Sequence, residues 1–266
     1  MRSLFHGFAA LVLTTPIALA APLEQPREIS IAVDVFAGGL HVLTIDSRTR
    51  LKADGYNLET QLQSRGFAGW VSGFSQHTLS EGRIADGELQ PSVHLNKGIW
   101  RGDSRLVEMR YGDHGPVEVT VEPVEDPSER EPVPARLRRD TIDPLSAVLF
   151  VNQPAYAQAG ACEWKVPVFD GRRRYDLRFE RIAEETLPAG RHGVYAGPAV
   201  KCRVHYDSIA GRYTGTRWRT SSEPMPPSHV WFAKPEGTDL WVPVRFEAEH
   251  SLGWVLAYLT RLDVTP

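Results

Sequence analysis

The side chains that could do chemistry in this chain are serines, histidines, acids, arginines and two cysteines, and each type makes a spacing demand. A serine nucleophile on a strand-to-helix elbow needs G-x-S-x-G. The nearest string, Gly69-Trp70-Val71-Ser72-Gly73, places its serine one position late. Beyond His6, the histidines are His41, His77, His94, His114, His192, His205, His229 and His250. None of them has the H-E-x-x-H spacing that holds zinc. Glu247, Glu249 and His250 are close in sequence, but on a strand both glutamates face away from the histidine. No acid pair stands out as general acid and base, and no cofactor fingerprint occurs. The sequence therefore assigns no catalytic, metal-ligating or cofactor-binding residue, and the chain is not expected to be an enzyme.

Two arginine clusters and the tryptophans offer binding chemistry instead. Arg136, Arg138 and Arg139 end a charged stretch, and Arg172, Arg173 and Arg174 crowd a turn. Such runs ordinarily form solvated loops; the sharper reading is contact with anionic lipid phosphates. Seven tryptophans are many for 266 residues. Trp164 and Trp254 fall on apolar strand faces and are expected in the core. Trp241 falls on the face opposite Val242 and Val244, where it either meets a ligand or packs a second buried face.

Cys162 and Cys202 stand 40 positions apart. That is unlike C-x-x-C, so redox catalysis and zinc ribbons lose support. In an oxidising compartment two cysteines predict one disulfide, and the N-terminus points to such a compartment. Arg2 precedes an apolar run from Leu4 to Leu19, and Ala18-Leu19-Ala20 supplies a small-residue cleavage pattern. Residues 1–20 thus read as a signal peptide cut between Ala20 and Ala21. The run is short for a membrane span of about 20 residues, and no cysteine follows the cut to take a lipid anchor. An exported, periplasmic chain is expected. A net charge of -3, with 24% charged and 42% apolar residues, fits a globular protein and excludes long disorder, collagen and coiled coil. Nothing in that balance suits a nucleic-acid partner.

These residues must be positioned by strands. Ile29, Ile31, Val33 and Val35 share one face; Tyr56, Leu58, Thr60 and Leu62 share another. The same alternation runs through Val117–Val121, Tyr175–Phe179, Leu240–Phe246 and Trp254–Leu262. Each run reads as a strand with one buried face, as in antiparallel sheets. Gly38-Gly39, Asp54-Gly55, Asp86-Gly87, Asp170-Gly171 and Ala210-Gly211 supply turns. Asp143, followed by Pro144, caps a helix with Leu145, Val148 and Leu149 on its apolar side, and a second short helix is expected near Phe67–Trp70. Residues 122–139, rich in proline and charge, read as a solvated loop inside a single domain spanning 21–266.

Strand alternation puts both cysteines on apolar faces, with the strand 173–182 between them. Two spacings in a flat sheet are about 9.5 Å, beyond the 7 Å or so that a disulfide tolerates between Cα atoms. Either the sheet curls strongly or Cys162 lies before its strand joins the ladder.

The stretch Cys162–Phe179 with its Phe169-Asp170-Gly171-Arg172-Arg173-Arg174-Tyr175 core, Cys202 followed by Ile209-Ala210-Gly211, and the terminal Leu240-Trp241-Val242-Pro243-Val244-Arg245 together resemble exported bacterial proteins of domain-of-unknown-function family 3108. Ser80-Glu81-Gly82-Arg83, Leu89-Gln90-Pro91 and Asp143-Pro144-Leu145-Ser146 fit it more loosely. The resemblance implies an all-β, mostly antiparallel protein, its sheet strongly curled into an open barrel-like or spiral form with one or two short helices. It implies a cell-envelope role without assigned activity, and brings no site residues. The expected function is non-catalytic, with a lipophilic ligand or an envelope protein as partner. A scaffold on cell-wall polymer, or an envelope hydrolase, is the alternative.

Overall fold

The computed structural model describes residues 27–158, 160–214, 227–250 and 253–265. The expected signal peptide 1–20, its Ala20/Ala21 junction and Trp218 lie outside the described residues. Among the described residues thirteen strands form one antiparallel sheet. They are β1 (Arg27–Ala37), β2 (Leu40–Leu51), β3 (Gly55–Ser64), β4 (Ser75–Ala85), β5 (Glu88–Trp100), β6 (Asp103–Gly112) and β7 (Gly115–Glu122). The second half supplies β8 (Trp164–Phe169), β9 (Arg174–Leu187), β10 (Gly197–Ala210), β11 (Ser228–Ala233), β12 (Val242–His250) and β13 (Gly253–Thr265). Three short helices join them: α1 (Gly66–Ser72), α2 (Pro144–Leu149) and α3 (Pro154–Gln158). Asp143 caps α2 as its sequence predicts, accepting from Leu145 and Ser146 N–H.

The strand order is β7-β6-β5-β4-β3-β2-β1-β13-β12-β11-β10-β9-β8. Sequence neighbours pair except β7 and β8, and β1 pairs with β13. This is the connectivity of an up-and-down barrel left open at one seam, between β7 and β8. The chain between those strands fills the seam. Ile142 bridges Val168 of β8, and Asp140 N–H donates to His114 O in the β6–β7 turn at 3.1 Å. Val133 and Leu137 pack with Val107, Met109, Phe169 and Ala210. The 122–139 stretch is therefore not wholly solvated. Arg130 is buried, donating to Gly211 O at 2.7 Å and lying 3.7 Å from the Tyr213 ring centroid. Its composition misleads because a seam needs hydrogen-bond partners for two strand edges and only a few apolar side chains.

The Cys162–Cys202 disulfide is present with Cα atoms 5.8 Å apart. Of the two geometries expected, the second holds: β9 lies between β8 and β10, and Cys162 precedes β8. Ala161 and Glu163, at φ 70° and 67°, turn the chain on either side of it. The ladder yields as well, with a register shift at Lys201/Cys202. Arg181 N–H there donates to the Glu163 carboxylate at 2.7 Å. Around the bridge, Trp164, Val166, Phe179, Val200 and Phe232 belong to one buried apolar cluster.

Trp164 is buried as expected, but Trp254 is half-exposed. A register shift opposite Ala32/Val33 sets Thr260 out of the β13 ladder and exchanges the faces on either side. Val255, Ala257 and Leu259 point inward before it, so Trp254 points out. Leu262 packs inward after it.

Candidate functional site

The apolar alternation of β1 builds a cavity rather than a filled core. Ile29, Ile31, Val33 and Val35 form one wall, continued by Ile45 and Leu51 of β2 and by Leu58 and Leu62 of β3. Val242, Val244 and Phe246 of β12 and Val255, Ala257 and Leu259 of β13 form the other. Leu145, Val148 and Leu149, the apolar side of α2, close one end together with Leu240 and Trp241. The space measures about 510 Å³, within the ordinary range of small-molecule sites. Its polar lining residues are Ser47, Thr49, Thr60, Asn152 and Arg245, the last paired with Glu247. Ser47 Oγ and Thr60 Oγ1 are 3.0 Å apart, and the Asn152 amide exchanges two hydrogen bonds with the Trp241 backbone.

Exposure grades along the cavity. Ile29, Leu51, Leu58 and Val242 are buried beneath α2, whereas Val35, Ile45, Leu62 and Val255 are half-exposed. The cavity thus opens toward the β1–β2 turn. The outer face of the same strands is ionic: Arg48 and Arg50 pair with Glu28, Arg261 with Asp46 and His77 with Glu59. The interior wall is aliphatic and the exterior of these strands charged, the reverse of a lipid-facing barrel.

A second cluster anchors the closed end. Asp143 is fully buried and His94 is 2% exposed. The Asp143 carboxylate accepts from Ser80 Oγ at 2.6 Å and from Ser146 Oγ at 2.6 Å, besides the two helix N–H groups. His94 Nδ1 lies 3.1 Å from Asp143 and 2.8 Å from Ser80 Oγ. Tyr56 OH reaches Ser146 Oγ at 2.8 Å. Burial opposes ionisation of Asp143, but His94 and the Ser146 and Ser80 hydroxyls outweigh it and hold the carboxyl below its ordinary value. Ser, His and Asp thus converge without forming a hydrolase triad. Ser80 gives its one proton to Asp143, and the same histidine nitrogen faces both partners, whereas a triad histidine sits between them and accepts from the serine. The cluster fastens α2 to β3, β4 and β5.

Other residues singled out in the sequence are placed as follows. Ser72 Oγ donates to Ala68 O within α1 at 2.7 Å, and Glu247 pairs with Arg245. Among the described residues no three His, Cys, Asp or Glu side chains gather as a metal site. Arg172 is committed to Glu125 and to the carbonyls of Glu122 and Pro123, Arg173 to Asp170 and Arg174 to Asp176. A phosphate at this turn would have to compete with those carboxylates for the three guanidinium groups. Arg138 donates to Val133 O, while Arg136 and Arg139 are exposed. Trp241 packs rather than projects, its ring N–H donating to Ala157 O at 3.2 Å. Sequence reasoning missed the Ser80–His94–Asp143 contacts and the exposed rings of α1. The alternation of β1 and β3 was the signal for the cavity.

Residues 31–260 match the family described as protein of unknown function, DUF3108. The chain belongs to that family. A β-barrel-like protein of domain of unknown function DUF1849 from Brucella abortus shares its fold, at 13% identity and a TM-score of 0.51. That match covers 91% of this chain and 98% of the other. A candidate lipoprotein from Parabacteroides distasonis, also 13% identical, covers 89% and 94% at a TM-score of 0.33. No curated protein matches the chain. The Brucella protein, described as β-barrel-like, agrees with the open, curled β architecture that the resemblance implied. Among the described residues no helix is long and apolar enough to cross a membrane.

Proposed function

We propose that this protein is a non-catalytic carrier or sensor of a lipophilic molecule, exported to the periplasm by its N-terminal segment. The observation that carries the reading is the aliphatic cavity of about 510 Å³ inside a sheet with an ionic exterior. An apolar space of that size open to water is unfavourable when empty, since burying apolar surface is worth about 25 cal/mol per Å². A hydrocarbon chain would recover that energy.

The deciding experiment is native mass spectrometry of the mature protein purified from the periplasm, with solvent extraction of whatever it carries. A stoichiometric lipid-like mass is expected. A bare chain that also takes up no lipophilic fluorophore would sink the carrier reading. It would favour a scaffold acting on cell-wall polymer or an envelope protein.

A further inference from the structure

We propose that the open end of the cavity docks on a lipid surface through Phe67 and Trp70 of α1, with Trp100 and Trp254 beside them. Docking rests on the carrier reading for its purpose and on separate residues for its existence. Every exposed Trp and Phe among the described residues lies at this end of the sheet. Phe67 and Trp70 are 71% and 83% exposed, their ring centroids 5.8 Å apart. Their i,i+3 spacing sets them side by side on one face of the helix.

The turns that carry these rings are joined. Gly38 N–H donates to Trp254 O at 3.2 Å, Arg65 N–H to Val42 O at 2.9 Å and Arg101 N–H to Ser72 O at 3.0 Å. Trp100 meets Phe74 edge-on at 5.7 Å. Exposed Leu40 and Ile99 stand on the same rim. The half-exposed ends of the cavity walls, Val35, Leu62 and Val255, belong to strands that end or begin at these turns.

The form of the rim selects the occupant. Its rings stand on separate turns, not in one flat patch or groove, and a stable protein interface needs about 800 Å² of continuous surface on each side. A fluid interface imposes no such demand, and Trp and Phe are favoured at head-group depth. The charge agrees on the side that carries Phe67 and Trp70. From Ala37 to Leu43 and from Ser64 to Ser75 there is no acid, and Arg65 stands among these residues. The acids of the rim, Asp103 opposite Trp100 and Glu249 opposite Trp254, belong to the flanking turns, where Arg101 also lies 5.8 Å from the Trp100 ring centroid.

The test is co-sedimentation of the mature chain with vesicles of phosphatidylethanolamine and phosphatidylglycerol. Wild type and Trp70→Phe should sediment with the vesicles, and brominated lipid should quench tryptophan fluorescence. Phe67→Ser/Trp70→Ser should bind roughly tenfold more weakly or worse, with its thermal midpoint unchanged because both side chains are exposed. Wild type left in the supernatant, or a double variant that sediments like wild type, would overturn docking. So would a wild-type dimer that the double variant dissolves, which would make this face a self-interface. Uptake of a lipophilic fluorophore without vesicles separates the two ideas. Uptake without sedimentation removes docking alone, and sedimentation without uptake removes the carrier reading alone.

Discussion

Asp143 shows what a buried carboxylate does when every lone pair is used. It accepts from two hydroxyls and two helix N–H groups and faces His94, and it lies outside the cavity lining. Asp143→Asn would put an amide N–H₂ where protons already point, leaving buried groups unpaired. A loss of about 3 kcal/mol in urea unfolding is expected at neutral pH. The native carboxyl titrates below its ordinary value, so the folded state binds this proton more weakly than the unfolded chain. Its contribution is fully present above about pH 4 and is lost as pH falls further. Unfolding curves taken from neutral to acid pH should show a shallower acid decline in the Asn variant than in wild type. An equal decline would place the acid sensitivity elsewhere. The capping role of Asp143 was legible from Asp-Pro alone. Its bond to Ser80, 63 positions upstream, depends on the register of β4 and could not be read locally.

At the scale of elements, β1, β3 and β9 were legible because one face is apolar and the other polar. The strands β4 and β5 were not, since their inward positions Thr78, Ser80, His94 and Asn96 are as polar as their outward ones. They are strands because their neighbours and α2 supply partners. Trp254 was assigned the wrong face because a bulge changes the side-chain period within one strand. Helix α2 connects fold to function, as its polar end holds the Asp143 cluster and its apolar side faces the cavity. Val148 is exposed into that space, so Val148→Trp should fill it with little strain. Uptake of a lipophilic fluorophore should fall at least tenfold, with stability changed by less than about 1 kcal/mol. Unchanged uptake would mean that the ligand lies elsewhere. The disulfide belongs to this scale too. Replacing both Cys162 and Cys202 by Ala should lower unfolding free energy by about 4 kcal/mol on the chain-entropy model, with β8 and β9 losing hydrogen-exchange protection first.

The whole molecule depends on how a sheet without a β7–β8 ladder stays curled. Composition could not reveal the device, because the segment responsible looks like a linker. In the fold two glycines let its neighbours approach. A Cβ on Gly171 would come 2.4 Å from Val107 Cγ1, so the β8–β9 turn touches β6 across the seam. A Cβ on Gly211 would lie 2.3 Å from Arg172 O and 2.8 Å from Arg173 Cα. Both glycines also have positive φ, as does Gly237, where a Cβ would meet nothing within 4 Å. Gly237→Ala therefore isolates the backbone penalty, about 1–2 kcal/mol. Gly211→Ala adds a clash with the backbone of the turn that carries Arg172, so that turn or the end of β10 must shift. It should cost roughly 3 kcal/mol or more and raise hydrogen exchange in β7 and β8 together, because one contact line holds both edges. The disulfide should stay formed, since Cys162 precedes β8 and Cys202 lies in the middle of β10, both well away from this turn. If Gly211→Ala matched Gly237→Ala in unfolding free energy and left both edges protected, the close approach at the seam would not be what keeps the sheet curled. The cavity, whose walls are the strands farthest from the seam, would then have to be held open by α2 alone.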